Sequence, residues 1–308
     1  MFAGPAVRNG RTRERRRMAD NGKRLTRRRF YKAEQEASFV ESQPRTTPQQ
    51  QSPSYRLAFR DTDFLLREEL RPVRFQLELL KTEMLLEEAK IGSTLVIYGS
   101  ARIPAPEQAE AALRTATTPE RKAVVERLVA KSKYYRQAYD LARIASQCSV
   151  VENGMRQFVI CSGGGPSIME AANRGAAEAG AESVGLNIVL PHEQAPNSFV
   201  TPELSFQFHY FALRKMHFLL RARAVAVFPG GFGTLDELFE LLTLVQTGKM
   251  KPLPILLFGR DHWDRIINFE ALAEEGVINP EDLALFHWVE TAQEAWAHVV
   301  RFYELDCG

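Results

Sequence analysis

The chain has 308 residues, of which 45% are hydrophobic and 25% are charged, enough to bury one large core or two small ones. It holds no apolar run near the roughly 20 residues of a membrane-spanning helix, and its first residues are too polar for a secretory signal. The three widely spaced cysteines form no CxxC pair, which suggests neither a disulfide framework nor a zinc knuckle. We therefore expect no membrane partner and a cytoplasmic location.

The charge of the chain is unevenly distributed. Residues 1–32 hold 12 Lys and Arg against two acids, whereas the remaining 276 residues hold 28 basic and 36 acidic side chains. Residues 1–55 carry too little apolar surface to offset chain entropy, so we predict a disordered basic tail. This tail is either a polybasic arm for nucleic acid or anionic lipid, or a solvated segment without a dedicated partner. We favour the solvated segment, and a start of translation at Met18 is a further alternative.

Helical apolar spacing appears first at residues 61–90, where Pro72 interrupts it. Short apolar strands are then predicted, in chain order, at 93–102, 157–165, 182–190, 204–210, 224–228 and 253–258. Helical patterns separate these strands, the longest lying within 119–147, and two more follow at 261–275 and 291–304. Strands that alternate with such helices indicate parallel βαβ units. The predicted fold is α/β, a Rossmann-like doubly wound parallel sheet with helices on both faces.

Three of the predicted strands end in turns of small residues. These turns are Gly99-Ser100, Gly163-Gly164-Gly165, and Gly230-Gly231-Phe232-Gly233-Thr234. Glycine lets backbone N–H groups approach a phosphate closely, and a helix N-terminus adds unsatisfied N–H groups. A single turn of this kind is equally expected of a tight strand-to-helix connection. Because parallel strands present their carboxyl ends at one edge of the sheet, the three together predict an anion site there.

Neither glycine turn matches a standard nucleotide motif. The segment "GGFGT" lacks the lysine of a Walker A loop. In "GGGPSI", Ile168 stands where the last glycine of a dinucleotide fingerprint would lie, which disfavours a hydride-transfer enzyme.

Charged residues flank the last of these turns. Asp236 and Glu237 are predicted in the first turn of the following helix, where an acid also complements the helix dipole. Arg214 and Lys215 precede the strand that leads into the loop, and the planar guanidinium of an arginine suits a phosphate or a carboxylate. We expect no metal site, because His209 and His217 share no ligand spacing with nearby acids, and no GxSxG elbow is present.

Four motifs in a fixed order resemble the Lonely Guy family, long described as lysine decarboxylases. They are "VIYGSAR", "SGGGPSIMEAANRGA", "ALRK" and "PGGFGTLDE", and the resemblance covers about residues 90–260. The extra residues at 61–90 and 104–150 resemble those of the longer-chain branch. One departure concerns the segment before Arg214, which reads Phe-Ala-Leu where short-chain members have Met-His-x. Base preference is therefore the property that transfers least.

The resemblance implies a phosphoribohydrolase that cleaves the N-glycosidic bond of a nucleoside 5′-monophosphate, acting on cytokinin ribotides or on AMP and similar purine nucleotides. Within this family, Glu237 and Arg214 match the catalytic pair, and Gly230, Gly231, Gly233 and Thr234 match the phosphate-binding loop. The remaining nucleotide-binding positions implied by the resemblance are Gly99, Ser100, Gly163, Gly164, Gly165 and Lys215. No metal or organic cofactor is implied, and a homo-oligomer is expected.

The resulting domain prediction is a tail at 1–55 and one nucleotide-binding catalytic domain at 56–308, which includes the helical extension 61–90. Two readings compete with the hydrolase. A non-catalytic carrier of nucleotide or molybdenum cofactor would use a related fold without the acid, and a nucleic-acid-binding protein would depend on the basic tail.

Overall fold

The computed structural model describes residues 30–148, 150–191 and 195–307. The chain divides into two compact units, Met1–Arg74 and Phe75–Gly308. The arginine-rich segment before residue 30 and the alternative start at Met18 lie outside the described residues. The domain boundaries predicted from the sequence remain predictions.

The described part of the first unit consists of short helices. Their bounds are α1 (Ala33–Glu41), α2 (Pro48–Gln51) and α3 (Thr62–Leu65), with single 3-10 turns at Pro53–Tyr55, Ala58–Arg60 and Glu68–Leu70. Side chains cap two of these helices, Thr47 at α2 and Asp61 at α3. Ala37 is the only buried residue among residues 30–74, so these segments have almost no core of their own.

A parallel sheet of seven strands forms the centre of the second unit. Its strands are β1 (Thr94–Tyr98), β4 (Val159–Ser162), β5 (Ser183–Ile188), β6 (Ser205–Phe208), β7 (Ala222–Val227), β8 (Ile255–Phe258) and β9 (His287–Val289). The strand order is β6-β5-β4-β1-β7-β8-β9, and every pair in it is parallel. A separate antiparallel hairpin joins β2 (Val151–Glu152) to β3 (Met155–Arg156).

Helices cover both faces of this sheet. Their bounds are α4 (Arg71–Glu88), α5 (Ala109–Arg114), α6 (Pro119–Val129), α7 (Ser132–Cys148), α8 (Ile168–Glu178), α9 (Phe211–Leu220), α10 (Phe232–Gln246), α11 (Arg260–Ile266), α12 (Phe269–Glu274) and α13 (Ala292–Tyr303). Short 3-10 segments lie at Pro106–Gln108, Pro202–Leu204 and Pro280–Leu285. None of the described helices combines the length and the hydropathy that a bilayer crossing requires.

The two faces hold separate hydrophobic clusters, because successive side chains of a strand point to opposite sides of the sheet. In β1, Val96 belongs to one cluster, while Leu95 and Ile97 belong to the other. From β1 the chain adds β4, β5 and β6 outwards on one side, and then returns to place β7 on the other side of β1. The predicted Rossmann-like α/β fold is confirmed, with its topological switch point at β1 and β7.

Three local features differ from the predictions. The helical stretch predicted at 119–147 is two helices, which separate after Val129. The edge strand β9 was not predicted, because three residues are too few to show a period. Helix α10 begins at Phe232, so Asp236 and Glu237 lie in its second turn and not in the first. A dipole interaction weakens beyond the first turn, so these two acids need another explanation.

A disulfide joins Cys148 at the end of α7 to Cys307 near the C-terminus, with 5.7 Å between their Cα atoms. The expectation that the cysteines form no disulfide is therefore wrong. The two residues are 159 positions apart, and their proximity results from the packing of α13 against α7. Cys161 is free and buried, as expected of a small core residue.

Candidate active site

The sheet order brings the three glycine-containing turns together. Strands β4, β1 and β7 are neighbours, so their carboxyl ends lie side by side at the switch point. The Ser100 amide donates a hydrogen bond to the Pro229 carbonyl over 3.1 Å, which ties the turn after β1 to the loop after β7. The predicted nucleotide-binding positions thus form one contiguous edge.

The turn after β4 allows a close approach that only glycine permits. Gly164 has a φ of +72°, a conformation that residues with a Cβ rarely adopt. A Cβ added to Gly163 would lie 2.6 Å from Nη2 of Arg214. The absence of a side chain therefore lets the guanidinium lie directly against the turn.

Arg214 and Glu237 form a buried pair between α9 and α10. Nη1 of Arg214 lies 3.5 Å from Oε1 of Glu237, and the side chains are only 12% and 13% exposed. The guanidinium is oriented by Nε, which donates to the Leu186 carbonyl over 2.7 Å. The guanidinium also lies over the aromatic ring of Phe218, with its Cζ 5.0 Å from the ring centre. These backbone and aromatic contacts hold Arg214 in place beside Glu237.

Burial raises the pKa of Glu237 to about 7, although the charge of Arg214 acts in the opposite direction. The neighbouring Asp236 raises it further. A carboxyl group with this pKa can exchange a proton near neutral pH, as a general acid or base must.

Lys215 is engaged by carboxylates of α10. Its Nζ lies 3.0 Å from Asp236 and 3.0 Å from Glu240. Burial lowers the pKa of Lys215, but the hydrogen bonds to these two acids outweigh it and raise the value. Asp236 is therefore an ion-pair partner of Lys215, which is a different role from the dipole contact expected of it.

The loop after β7 runs directly into α10, with Gly231 at the N-cap position. A Cβ added to Gly231 or Gly233 would meet no atom within 4 Å, so this face of the loop is open. Thr234 is 5% exposed and lies under Gly230, where an added Cβ would clash with the threonine side chain. The N–H groups of the first helical turn have no partner in the helix and are the donors available to an anion.

One residue that the motifs do not include holds the Gly163–Gly165 turn in place. The side-chain Nδ2 of Asn197 donates to the carbonyls of Gly164 and Gly165, over 3.1 and 2.9 Å, and to Oδ1 of Asn173 over 2.9 Å. Asn173 accepts a further bond from the Ser162 hydroxyl over 2.7 Å. Sequence reasoning missed Asn197, because a lone asparagine in a proline-containing loop carries no signal of its distant partners.

No group of three or more His, Cys, Asp or Glu side chains suited to a metal ion occurs within the part of the chain that the structure describes. The fold and the site together define a Rossmann-like α/β protein with an open glycine loop at the switch point and a buried arginine–carboxylate pair beside it.

Comparison with known proteins shows which proteins this chain is similar to. The family model described as "Possible lysine decarboxylase" matches residues 169–299, which include α9, the loop and α10. A probable cytokinin riboside 5′-monophosphate phosphoribohydrolase from Oryza sativa subsp. japonica is 26% identical over 173 residues, 53% of this chain and 74% of the relative. These matches confirm the resemblance to the Lonely Guy family that the four motifs indicate.

Two further proteins are similar to this chain in sequence or in structure. The pyrimidine/purine nucleotide 5′-monophosphate nucleosidase of Escherichia coli strain K12 is 30% identical over 121 residues, 34% of this chain but only 25% of the relative. The solved structure of the molybdenum cofactor binding protein from Rippkaea orientalis is 16% identical and covers 69% of this chain and 98% of that chain, with a TM-score of 0.40.

Proposed function

We propose that this chain hydrolyses the N-glycosidic bond of a purine nucleoside 5′-monophosphate, with cytokinin nucleotides among the candidate substrates, and releases free base and ribose 5-phosphate. The observation that carries the proposal is the buried Arg214–Glu237 pair beside an open glycine loop. The relatives named for the same chemistry support it.

The proposed mechanism assigns separate tasks to the loop and the acid. The open N–H groups of Gly231 to Thr234 bind the 5′-phosphate, so binding energy from a remote group positions the ribose. Cleavage of the C1′–N bond builds positive charge on the ribose ring. Glu237, as the carboxylate, stabilises that charge and takes a proton from the attacking water, whose oxygen bonds to C1′. The base leaves with the electron pair of the C1′–N bond and takes up a proton, which balances the one that Glu237 removes from water and later releases.

Arg214 holds Glu237 in position and offsets its negative charge next to the phosphate. Lys215 pairs with the carboxylates of Asp236 and Glu240 and so holds α9 against α10. The turns at Gly99-Ser100 and Gly163–Gly165 form the other walls of the site. The mechanism requires no cofactor.

A homo-oligomer is part of the proposal. Exposed apolar side chains lie on α4 and α9, and Phe75 of α4 contacts Tyr210, the N-cap residue of α9, at a ring distance of 4.0 Å. They are Leu77, Leu80 and Met84 on α4 and Phe211, Met216 and Leu220 on α9. A second copy that covers them would remove this surface from water. The cytoplasmic location stays a prediction.

The test incubates the full chain with AMP or with isopentenyladenosine monophosphate and measures the released free base by chromatography. We expect Glu237→Gln to lower the rate by at least about 100-fold, the scale of general acid–base contributions. Asp236→Asn is the matched control and is expected to keep most of the activity. A carrier would bind the nucleotide while wild type and Glu237→Gln released base equally slowly, and that outcome would refute the hydrolase.

A further inference from the structure

A cavity adjoins the glycine loop on a side that the proposed catalytic pair does not line. It has a volume of about 360 Å³ and is bounded by α6, α11 and the loop residues Pro229, Gly230 and Gly231. Neither Arg214 nor Glu237 lines it. We call this cavity the basic pocket, because Arg127, Lys131 and Arg265 line it together with His262.

The three cations of the basic pocket face one another without a compensating acid. No Asp or Glu is among its lining residues in the described part of the chain. Nζ of Lys131 donates to the Arg127 carbonyl over 3.2 Å, and both side chains line the pocket with Arg265. Burial lowers the pKa of Lys131, and the charges of Arg265 and Arg127 lower it further. Such an arrangement is stabilised by an anion that enters between the cations.

The fourth polar group of the pocket is a neutral imidazole. Burial and the charge of Lys131 lower the pKa of His262 to about 4, so the ring is uncharged at neutral pH. The ring interacts with the backbone of Gly230, which raises its pKa slightly, but its buried Nε2 has no hydrogen-bond partner of good geometry among the described residues. A buried polar atom without a partner is uncommon, and a ligand in the pocket would supply one.

The origin of these residues separates the pocket from the proposed catalytic site. Arg127 and Lys131 belong to the stretch between β1 and α7, and Arg265 belongs to α11. None of them lies in the four sequence motifs. The pocket shares Ser100, Gly230 and Gly231 with the nucleotide site, so the two adjoin at the loop.

We propose that the basic pocket binds a phosphoryl group, separate from the 5′-phosphate assigned to the loop. The group has two conceivable sources, the terminal phosphate of a nucleoside diphosphate whose first phosphate occupies the loop, or a free phosphorylated small molecule. Guanidinium groups suit phosphate oxygens, and the volume is that of a small-molecule site. Only the position of the first phosphate rests on the proposed function.

Two double variants of the full chain test the proposal. Arg127→Gln/Lys131→Gln removes two cations from the pocket, and Arg121→Gln/Lys133→Gln removes two nearby cations, one on α6 and one on α7, that do not line it. Both variants change the net charge equally, so non-specific electrostatic effects cancel. Binding of inorganic phosphate, AMP and ADP is measured by calorimetry in a Glu237→Gln background, so that nucleotide is not consumed.

We expect the pocket variant to bind phosphate at least tenfold more weakly at one site, and the control variant to match the parent within twofold. If the terminal phosphate of a nucleotide is the ligand, ADP binds at least tenfold tighter than AMP and the pocket variant loses this difference. If a free phosphate compound is the ligand, inorganic phosphate still binds when AMP is saturating, and ADP gains no advantage.

Equal binding of all three probes by the parent, the pocket variant and the control variant would overturn the proposal. Failure of the proposed hydrolase would appear differently. The wild-type chain would then release no base, while the phosphate binding that depends on Arg127 and Lys131 would persist.

Discussion

At the scale of single residues, the central feature is a carboxyl group buried next to an arginine. Burial without a partner would favour the neutral acid strongly, and full pairing would favour the carboxylate. Glu237 lies between these limits because its distance to Arg214 is 3.5 Å, long for a hydrogen-bonded ion pair. This intermediate position gives the residue a pKa near neutrality and makes it sensitive to small changes around it.

A pH-dependent stability follows from this pKa. The pKa of Glu237 is about 7 in the folded chain against 4.5 in the reference state, so the folded state binds the proton more tightly. The resulting stability is complete below pH 4.5 and is lost as the pH rises to about 7. We expect this loss to be on the order of 3 kcal/mol.

Thermal unfolding between pH 4.5 and 8 measures the effect. The wild type should lose stability relative to Glu237→Gln as the pH rises through this range, since glutamine does not titrate and resembles the neutral acid. The Asp236→Asn variant keeps Glu237 and should also lose stability as the pH rises, with its midpoint at a lower pH because Asp236 contributes to the raised pKa of Glu237. Parallel curves for wild type and Glu237→Gln would contradict the assignment.

At the scale of elements, the start of α10 determines the geometry of the site. The motif predicts a glycine turn before a helix, but the helix begins within the motif, at Phe232. As a result Thr234 becomes a buried helical residue under Gly230, and Glu237 is one turn further along the same helix. The loop and the acid therefore belong to one rigid element.

This packing predicts different tolerances at two adjacent glycines. Gly230→Ala places a methyl group against the Thr234 side chain, which must shift, and we expect a loss of about 1–3 kcal/mol of stability. Gly231→Ala adds its methyl group in open space and should change stability by less than about 0.5 kcal/mol. Denaturant unfolding compares the two, and equal losses would show that Thr234 does not pack under the loop.

At the scale of the whole molecule, contacts between distant segments add what local patterns do not show. The disulfide between Cys148 and Cys307 ties the C-terminal segment to α7. The basic pocket similarly joins α6 and α11 to the loop after β7.

The disulfide predicts the thiol count of the oxidised protein. Alkylation of the denatured, unreduced chain should modify Cys161 alone, and reduction should make all three cysteines reactive. In the native chain Cys161 should react slowly, because burial raises its pKa and excludes the reagent. In Cys148→Ser, the denatured, unreduced chain should show two reactive thiols. Three reactive thiols in the unreduced wild type would rule out the pairing.

Much of the fold was predictable because it depends on local properties. Apolar runs such as Ile255–Phe258 mark buried strands, the intervening helices follow from their apolar spacing, and right-handed crossovers then leave few topologies. The glycine turns and the order of the motifs likewise indicated the edge of the sheet at which Arg214 and Glu237 meet. They are 23 residues apart, and the sequence could suggest the pair only through the resemblance.

By itself, the sequence determined the succession of strands and helices and the positions of the glycine turns, because both follow from side-chain periodicity and backbone freedom along the chain. Only the tertiary structure decided that Lys215 pairs with Asp236, that Asn197 holds the Gly163–Gly165 turn, and that Cys148 meets Cys307. These contacts depend on which strands become neighbours and how the helices pack across them, and no local pattern encodes such distances.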